Sequence, residues 1–165
     1  VHGVMLGEIG RVDRVTVRNS LFVGYHGEAN NASFLIKDTL SGRDSYVFDR
    51  VTMVRDAGAK GWNIYAPGSG YEVRDSLFVG GREVRIGEGA KTGNVCWDIS
   101  DYSKVCNRRA DPQFVDGDYA GVGEGFADFD FTITNPAVPP GTGSSITSVA
   151  GLLADTAPPA ATSGE

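Results

Sequence analysis

Hydrophobic and polar residues alternate along several short stretches of the chain, and three of these stretches resemble one another. The segment VTVRNSLFVG (residues 15–24) returns as YEVRDSLFVG at residues 71–80, and YVFDRVTMVR (residues 46–55) repeats the pattern between them. In each copy, apolar residues occupy every second position around one polar residue, which is Asn19, Arg50 or Asp75. Such an alternation, built from β-branched and aromatic residues, predicts short β-strands.

A further alternating strand follows each copy, and the equivalent positions recur at regular intervals. These strands carry the apolar pairs Phe34 and Ile36, Trp62 and Ile64, and Val84 and Ile86. The intervals of 22–31 residues contain no segment of ten or more helix-forming residues, which a crossover helix would require. We therefore predict an all-β solenoid with three short strands per coil, in which each coil buries its inward residues against the next.

The polar residue at the centre of each copy marks a corner between two strands. Asn19 and Asp75 suit such a corner, because Asn and Asp tolerate left-handed backbone angles better than most residues. Arg50 departs from this pattern, so we expect the middle coil to bend differently there.

Charge and cysteine content narrow the range of partners and compartments. The net charge of −6 and pI near 4.9 argue against nucleic acid or an acidic membrane surface as a partner. No apolar run approaches the roughly 18 residues of a membrane helix. A disulfide between the only two cysteines, Cys96 and Cys106, is the interpretation we favour, and two buried free thiols are the alternative.

Two features of the chain resemble the right-handed parallel β-helix proteins of the pectate-lyase-like superfamily. One is the VxVRNSLFVG type of coil. The other is the run ADPQFVDGDYAGVGEGFADFDFTI (residues 110–133) followed by NPAVPPGTGSS (residues 135–145). In that family a similar run leads into a last D-F-x-(I/L) strand and a Pro- and Gly-rich exit. The resemblance covers residues 4–149 and implies the C-terminal coils and cap of such a helix. The superfamily includes lyases, hydrolases, epimerases, tailspikes and adhesins, so the activity stays open.

The two ends of the chain differ in character. GVML (residues 3–6) fits the second strand of a coil whose first strand is absent, so we expect the solenoid to continue upstream of residue 1. The end of the chain is rich in Pro, Ala and Ser, as linkers and tails are. We therefore expect coils and cap in residues 1–149 and a linker or tail in residues 150–165.

The resemblance implies that a polysaccharide, where one binds, lies along an outward-facing parallel sheet. On the strand after the second copy we expect Trp62 inside and Tyr65 outside. The outward positions predicted for this sheet are Met5, Leu35, Asn63 and Arg85, with Lys37, Tyr65 and Gly87 beside them. The candidate substrate-binding residues among them are Lys37, Asn63, Tyr65 and Arg85.

A polysaccharide lyase needs a base that removes the proton alpha to a uronate carboxylate, and a cation that neutralises this carboxylate. The candidate catalytic residues are Arg55, Lys60 and Arg85, with His26 as an alternative base. Solvated surface charge is the alternative interpretation of each, because outward Arg and Lys keep a solenoid soluble and prevent edge pairing.

Carboxylates cluster between Asp111 and Asp130. Calcium prefers six to eight oxygen ligands, so the candidate calcium ligands are Asp116, Asp118, Asp128 and Asp130. Corner residues of capping turns are the alternative, since the spacing does not match an EF-hand loop. A glycosidase would instead need two facing carboxylates, for which Asp98 and Asp101 are candidates.

Two functions remain open at this point. The first is part of a secreted carbohydrate-active protein, a polysaccharide lyase or glycoside hydrolase whose groove is shared with upstream coils. The second is a non-catalytic extracellular module, such as an adhesin, a filament component or a tailspike-like rod. Both place the protein outside the cell or at its surface, with a polysaccharide and either upstream coils or a neighbouring subunit as partners.

Overall fold

A computed structural model describes residues 4–6, 14–24, 32–36, 45–56, 58–66, 70–82, 84–87, 89–100, 105–117, 119 and 128–148. The strands in these ranges are β1 (Val4–Leu6), β2 (Arg14–Gly24), β3 (Ala32–Ile36), β4 (Ser45–Arg55), β5 (Trp62–Ala66), β6 (Tyr71–Arg74), β7 (Leu77–Val79), β8 (Val84–Ile86), β9 (Gly89–Thr92), β10 (Val95–Trp97) and β11 (Arg108–Arg109). The same ranges contain no helix, and therefore no helix that is long and apolar enough to span a membrane. The all-β prediction is confirmed for this part of the chain.

The strands form two sheets, and nearly every strand pairs with its counterpart in the next repeat. The first sheet has the order β1-β3-β5-β8, and β2, β4, β6, β7, β9, β10 and β11 form the second sheet. Every strand pairing in the described ranges is parallel. Met5 lies opposite Leu35, which lies opposite Tyr65, which lies opposite Arg85. One position per repeat therefore forms a column along the first sheet.

The second sheet turns a corner at a column of left-handed residues. The ladder between β2 and β4 skips only Asn19 and Arg50, and φ is 45° at Asn19, 52° at Arg50 and 46° at Asp75. Gly93 continues this column with φ 68°. The prediction for Asn19 and Asp75 is confirmed. The expectation that Arg50 bends differently is wrong, because the parallel pairing on both sides of the corner imposes the same backbone on each repeat.

The core lies between the sheets and is built from columns of inward side chains. Tyr46 and Tyr71 stack with their ring centroids 5.2 Å apart. Met53 lies opposite Phe78, which lies opposite Cys96, and all three are completely buried. Cys96 forms a disulfide with Cys106, which confirms the predicted bridge. The bridge thus ends an apolar column of the core.

A column of polar side chains runs beside the corner and is hydrogen-bonded throughout. The Ser76 hydroxyl accepts a bond from the Val51 N–H, and the Asn94 carboxamide oxygen accepts one from the Ser76 N–H. Asn94 Nδ2 donates to the carbonyls of Val73 and Val105, and the Asn94 N–H donates to Asn107 Oδ1. This column satisfies backbone groups at the corner, where the ladder is interrupted.

Residues 128–148, which we call the return segment, run back along the outer face of the second sheet. Phe131 and Val138 pack with Leu77, Val79 and Val95, the outward residues of β7 and β10. Further along, the Gly143 N–H donates to the Asp75 carbonyl, the Ser144 N–H to Thr52 Oγ1, and the Ser145 N–H to Asn19 Oδ1. The segment therefore reaches from the last repeat to the first.

The strand expected within residues 128–133 is absent from the structure. Ile133 makes a single antiparallel bridge to Phe114, and no ladder extends from it. Phe129 and Phe131 instead pack their rings against Phe114, with centroids 6.1 and 5.5 Å away. Aromatic packing on the outer face thus replaces a further strand at this point.

Candidate functional site

The first sheet presents a pair of functional side chains on its outer face. Tyr65 on β5 and Arg85 on β8 lie directly opposite each other in the parallel register. The Arg85 guanidinium carbon lies 5.4 Å from the centre of the Tyr65 ring, within the range of a cation–π interaction. The flanking residues Ile64, Val84 and Ile86 are buried in the core, so the alternation of each strand directs Tyr65 and Arg85 outward.

A second aromatic–arginine pair lies beside the first. The Trp62 and Tyr65 rings have centroids 4.7 Å apart and are inclined at 55°. The Arg82 guanidinium carbon lies 5.5 Å from the centre of the Trp62 ring. Both arginines are exposed, and both aromatic rings are half-buried. We call Trp62, Tyr65, Arg82 and Arg85 the aromatic–arginine cluster.

The placement of Trp62 and Asn63 corrects two predictions. Trp62 was expected in the core, but it is half-exposed and packs on Tyr65. Asn63 was expected on the outer face as a substrate-binding residue, but it is 0% exposed and donates from Nδ2 to the Gly80 carbonyl at 2.9 Å. The cause is an interruption in the ladder, because β3 and β5 pair at Trp62 and Ile64 but not at Asn63. Strict alternation therefore fails at this end of β5.

Arg55 lies beneath this surface, which excludes it from direct contact with a ligand there. Its exposed fraction is 3%, and its Nη1 donates to the Trp62 carbonyl at 3.2 Å. Burial lowers the pKa of Arg55, and the charge of Asp56 opposes this change. The proposed catalytic role of Arg55 as an exposed cation is thus at odds with its position. Arg55 instead fixes the backbone that carries Trp62.

The remaining candidates of this group divide into one exposed residue and two that lie outside the described residues. Lys60 is exposed and precedes Trp62 by two residues. His26 and Lys37 fall in segments that the structure does not describe. Of the sequence-predicted binding and catalytic residues, the structure therefore brings together Tyr65 and Arg85.

The aromatic–arginine cluster combines apolar ring faces with positive charge. Among the described residues, neither Arg82 nor Arg85 pairs with a carboxylate. A guanidinium presents a planar fork of N–H donors that matches a carboxylate or sulfate, and the flat face of an aromatic ring offers apolar contact. The arrangement can therefore bind a flat ligand that carries both an apolar face and an anionic group.

The acidic tract is engaged in backbone hydrogen bonds. Asp116 Oδ2 accepts a bond from the Asp130 N–H at 2.7 Å, and Asp130 Oδ1 accepts one from the Thr132 N–H at 2.8 Å. Asp128 is exposed, and Asp118 lies outside the described residues. Within the described ranges no group of three or more His, Cys, Asp or Glu side chains converges as metal ligands would. Of the facing carboxylates considered for a glycosidase, Asp98 accepts a hydrogen bond from Tyr119, and Asp101 is outside the described residues.

A second group of charges lies on the outer face of the second sheet. Asp49 Oδ2 accepts a hydrogen bond from Arg18 Nε at 2.8 Å, and Arg74 Nε lies 3.3 Å from its other oxygen. Burial raises the pKa of Asp49, but the hydrogen bonds and charges of Arg74 and Arg18 outweigh it and hold the pKa below its usual value. Arg74 also donates to Glu72 at 2.7 Å, so both carboxylates of this group are paired with arginines and we assign the group a structural role.

The strand pattern did not predict Trp62 and Arg82 as partners of Tyr65 and Arg85. Their spacing carries a signal, since each arginine in R-E-V-R (residues 82–85) lies 20 residues after its aromatic partner in W-N-I-Y (residues 62–65). Two residue pairs with the same separation indicate that the strand carrying the arginines pairs with the strand carrying the aromatic residues. Comparison of the chain with protein-family models, with curated proteins and with solved structures finds no match.

Proposed function

We propose that the chain is part of a secreted right-handed parallel β-helix, of the pectate-lyase-like type, that binds an acidic polysaccharide along the outer face of the first sheet. The single observation that carries the binding proposal is the aromatic–arginine cluster, in which two rings share one surface with two guanidinium groups that pair with no carboxylate of the described residues. Polysaccharides with uronate or sulfate groups offer the matching combination of apolar sugar faces and negative charge.

The fold proposal is supported by the pairing of strands. Every ladder between the described strands is parallel, and the equivalent residues of successive repeats form columns in both sheets. Parallel strands of one sheet are joined by right-handed connections in nearly all proteins, which is our reason for assigning that hand. The Cys96–Cys106 disulfide supports an oxidising compartment and therefore secretion.

Binding is assigned to the described residues, and catalysis is a separate hypothesis. A lyase base must lie within hydrogen-bond reach of the substrate proton. The exposed catalytic candidates are Arg85, which belongs to the cluster, and Lys60, which lies two residues before Trp62 in the chain. Replacing Lys60 with Gln in an assay for uronate elimination tests this role. Loss of turnover with retained binding would support it, and unchanged turnover would overturn it.

The binding proposal can be tested by tryptophan fluorescence, because the chain has two tryptophans, Trp62 and Trp97. In a Trp97→Phe variant the emission comes from Trp62 alone. We expect a saturable change in this emission with uronate oligosaccharides and a much weaker one with neutral oligosaccharides of the same length. If electrostatic attraction contributes to this binding, added salt should weaken the affinity for uronate oligosaccharides. No change with any acidic oligosaccharide would overturn the proposal.

A non-catalytic assembly module is the second candidate, and the first repeat favours it. Val15, Val17 and Phe22 occupy inward positions of β2 but are only half-buried, whereas Tyr46, Phe48 and Met53 of β4 are completely covered. Among the described strands, none pairs with the outer edge of β2. Upstream coils or a neighbouring subunit would cover this edge. Sedimentation over a range of concentrations tests self-association, and a monomer throughout would count against it.

A further inference from the structure

A pocket of about 370 Å³ lies on the second sheet, separate from the aromatic–arginine cluster. It is lined by Trp97, Asp111, Gln113, Phe114, Gly117 and Tyr119. Trp97 ends β10 and is half-buried, and the Arg109 guanidinium carbon lies 5.7 Å from the centre of its ring. Ligand pockets range from about 300 to 1,000 Å³, so this one is large enough for a small ligand.

The backbone around the pocket is held in an unfavourable conformation. Gln113 has φ 49°, which is a left-handed conformation at a residue that is not glycine. At Gln113 the conformation is fixed from both sides. Its N–H donates to Asp111 Oδ1 at 2.9 Å, and its carbonyl accepts bonds from Thr134. A left-handed glutamine is energetically costly, and such residues concentrate at binding and catalytic sites. Glycine would adopt this conformation at lower cost, but it lacks the exposed carboxamide that Gln113 provides.

The polar atoms around the pocket are arranged so that some remain available to a ligand. The Tyr119 hydroxyl donates to Asp98 Oδ2 at 2.7 Å, which holds the Asp98 carboxylate beside the pocket. Asp111 uses Oδ1 for the Gln113 N–H, and its Oδ2 makes no hydrogen bond to the described residues. The Gln113 carboxamide offers both a donor and an acceptor. These groups lie beside the apolar surfaces of Trp97 and Phe114.

We propose that this pocket binds a single neutral pyranose residue. The apolar face of the sugar packs against Trp97, and its hydroxyl groups donate to Asp111 and exchange hydrogen bonds with the Gln113 carboxamide. The two carboxylates of Asp111 and Asp98 outnumber the single guanidinium of Arg109 beside Trp97, so they disfavour a uronate here. The aromatic–arginine cluster and this pocket thus differ in both location and charge preference, and neither proposal depends on the other.

The test uses Trp97 as the reporter in a Trp62→Phe variant of the full chain. Glucose, galactose, mannose and N-acetylglucosamine are the neutral probes, and glucuronate is the acidic one. We expect at least one neutral sugar to change Trp97 emission saturably with a millimolar Kd, and glucuronate to bind at least about tenfold more weakly than the matching neutral sugar. An absence of response to all neutral sugars would overturn the proposal, and equal binding of glucuronate would overturn its charge preference.

Two further variants separate a binding role from a structural one. Gln113→Gly removes the carboxamide but suits the left-handed backbone, so we expect at least about tenfold weaker sugar binding without a lower Tm. Asp111→Asn keeps an acceptor for the Gln113 N–H but removes a charge, so the preference for glucose over glucuronate should shrink. Unchanged binding in Gln113→Gly, or a fall in Tm that accounts for the loss of binding, would contradict the proposal.

Discussion

The side-chain oxygen of Asn94 accepts a hydrogen bond from the backbone N–H of Ser76 at 3.1 Å, and both residues are completely buried. Asn94 also donates to the carbonyls of Val73 and Val105, and so it joins three segments of chain. Its carboxamide occupies the corner where the strand ladder is interrupted. Asn94 therefore stabilises the corner through three side-chain hydrogen bonds.

We expect Asn94→Ala to lower the free energy of unfolding by about 3 kcal/mol, because it leaves buried backbone donors and acceptors without partners. Asn107→Ala is the matched control. Asn107 bonds to Asn94 and Lys91 but is exposed, so water can replace its contacts, and we expect a loss below about 1 kcal/mol. Chemical denaturation measures both, and equal losses would contradict the assigned role of Asn94.

The charge group around Asp49 predicts a dependence of stability on pH. The pKa of Asp49 is lower in the folded protein than in the unfolded chain, where it lies at about 4. Asp49 therefore stabilises the fold above pH 4, and this contribution is lost as the pH falls through the folded pKa. We expect Asp49→Asn to cost about 1–2 kcal/mol at neutral pH and to reduce the loss of stability in acid.

Glu72 provides the control for this prediction. It pairs with Arg74 at 2.7 Å, but its side chain is 41% exposed. We expect Glu72→Gln to change stability by less than about 0.5 kcal/mol, since exposed ion pairs contribute little. Denaturation curves at several pH values between 3 and 7 compare the variants. A profile for Asp49→Asn that parallels the wild type would refute the assignment.

The Cys96–Cys106 disulfide joins two residues that are ten positions apart at the last repeat. Loop-closure entropy gives a stabilisation of about 2–3 kcal/mol for a loop of this size. We expect reduction, or the Cys96→Ala/Cys106→Ala pair of substitutions, to lower the Tm. The double substitution should cost more than reduction, because Cys96 is completely buried and its truncation leaves space in the core. Thermal unfolding with and without reductant measures the first effect, and an unchanged Tm would contradict it.

Gly80 and Gly58 both have positive φ, at 67° and 72°, but their surroundings differ. A Cβ at Gly80 would lie 2.2 Å from the Arg55 carbonyl oxygen, whereas a Cβ at Gly58 would meet nothing within 4 Å. We expect Gly58→Ala to cost about 1 kcal/mol for the backbone conformation alone, and Gly80→Ala to cost about 3 kcal/mol or more. Unfolding measurements on the two variants test the close approach of Gly80, which follows β7, to Arg55 at the end of β4. Similar losses of unfolding free energy in both variants would argue against this approach.

Arg85 and Arg109 each lie over an aromatic ring, but on different sheets. We expect Arg85→Gln to weaken the binding of uronate oligosaccharides about tenfold, because a charge-assisted contact is lost. Arg109→Gln should leave this affinity unchanged. Titration calorimetry distinguishes the two, and equal effects would indicate nonspecific attraction.

Repetition in the sequence made the strands and corners predictable. The apolar positions around Asn19 and Asp75 recur because the same backbone recurs, and the structure places both residues in one column. The error at Arg50 arose from residue preference. An arginine is a poor choice for a left-handed corner, but pairing with the strands on either side decides the conformation.

The candidate site was less predictable because its details depend on departures from the repeat. Trp62 and Asn63 exchange their expected environments where the ladder between β3 and β5 is interrupted. The alternation of apolar and polar residues in the sequence does not predict this interruption. The return segment was beyond prediction for a different reason. Its contacts join Ser145 to Asn19 across 126 positions, and no local pattern reports so distant a partner.

That return segment changes how the repeats depend on one another. In an open array each repeat contacts only its neighbours, so the ends fray independently and the array can be shortened unit by unit. Here Gly143, Ser144 and Ser145 of the return segment form hydrogen bonds to the third, second and first repeats. Detachment of the return segment would break its contacts with all three repeats at the same time. The chain should thus unfold as one cooperative body in spite of its modular sequence.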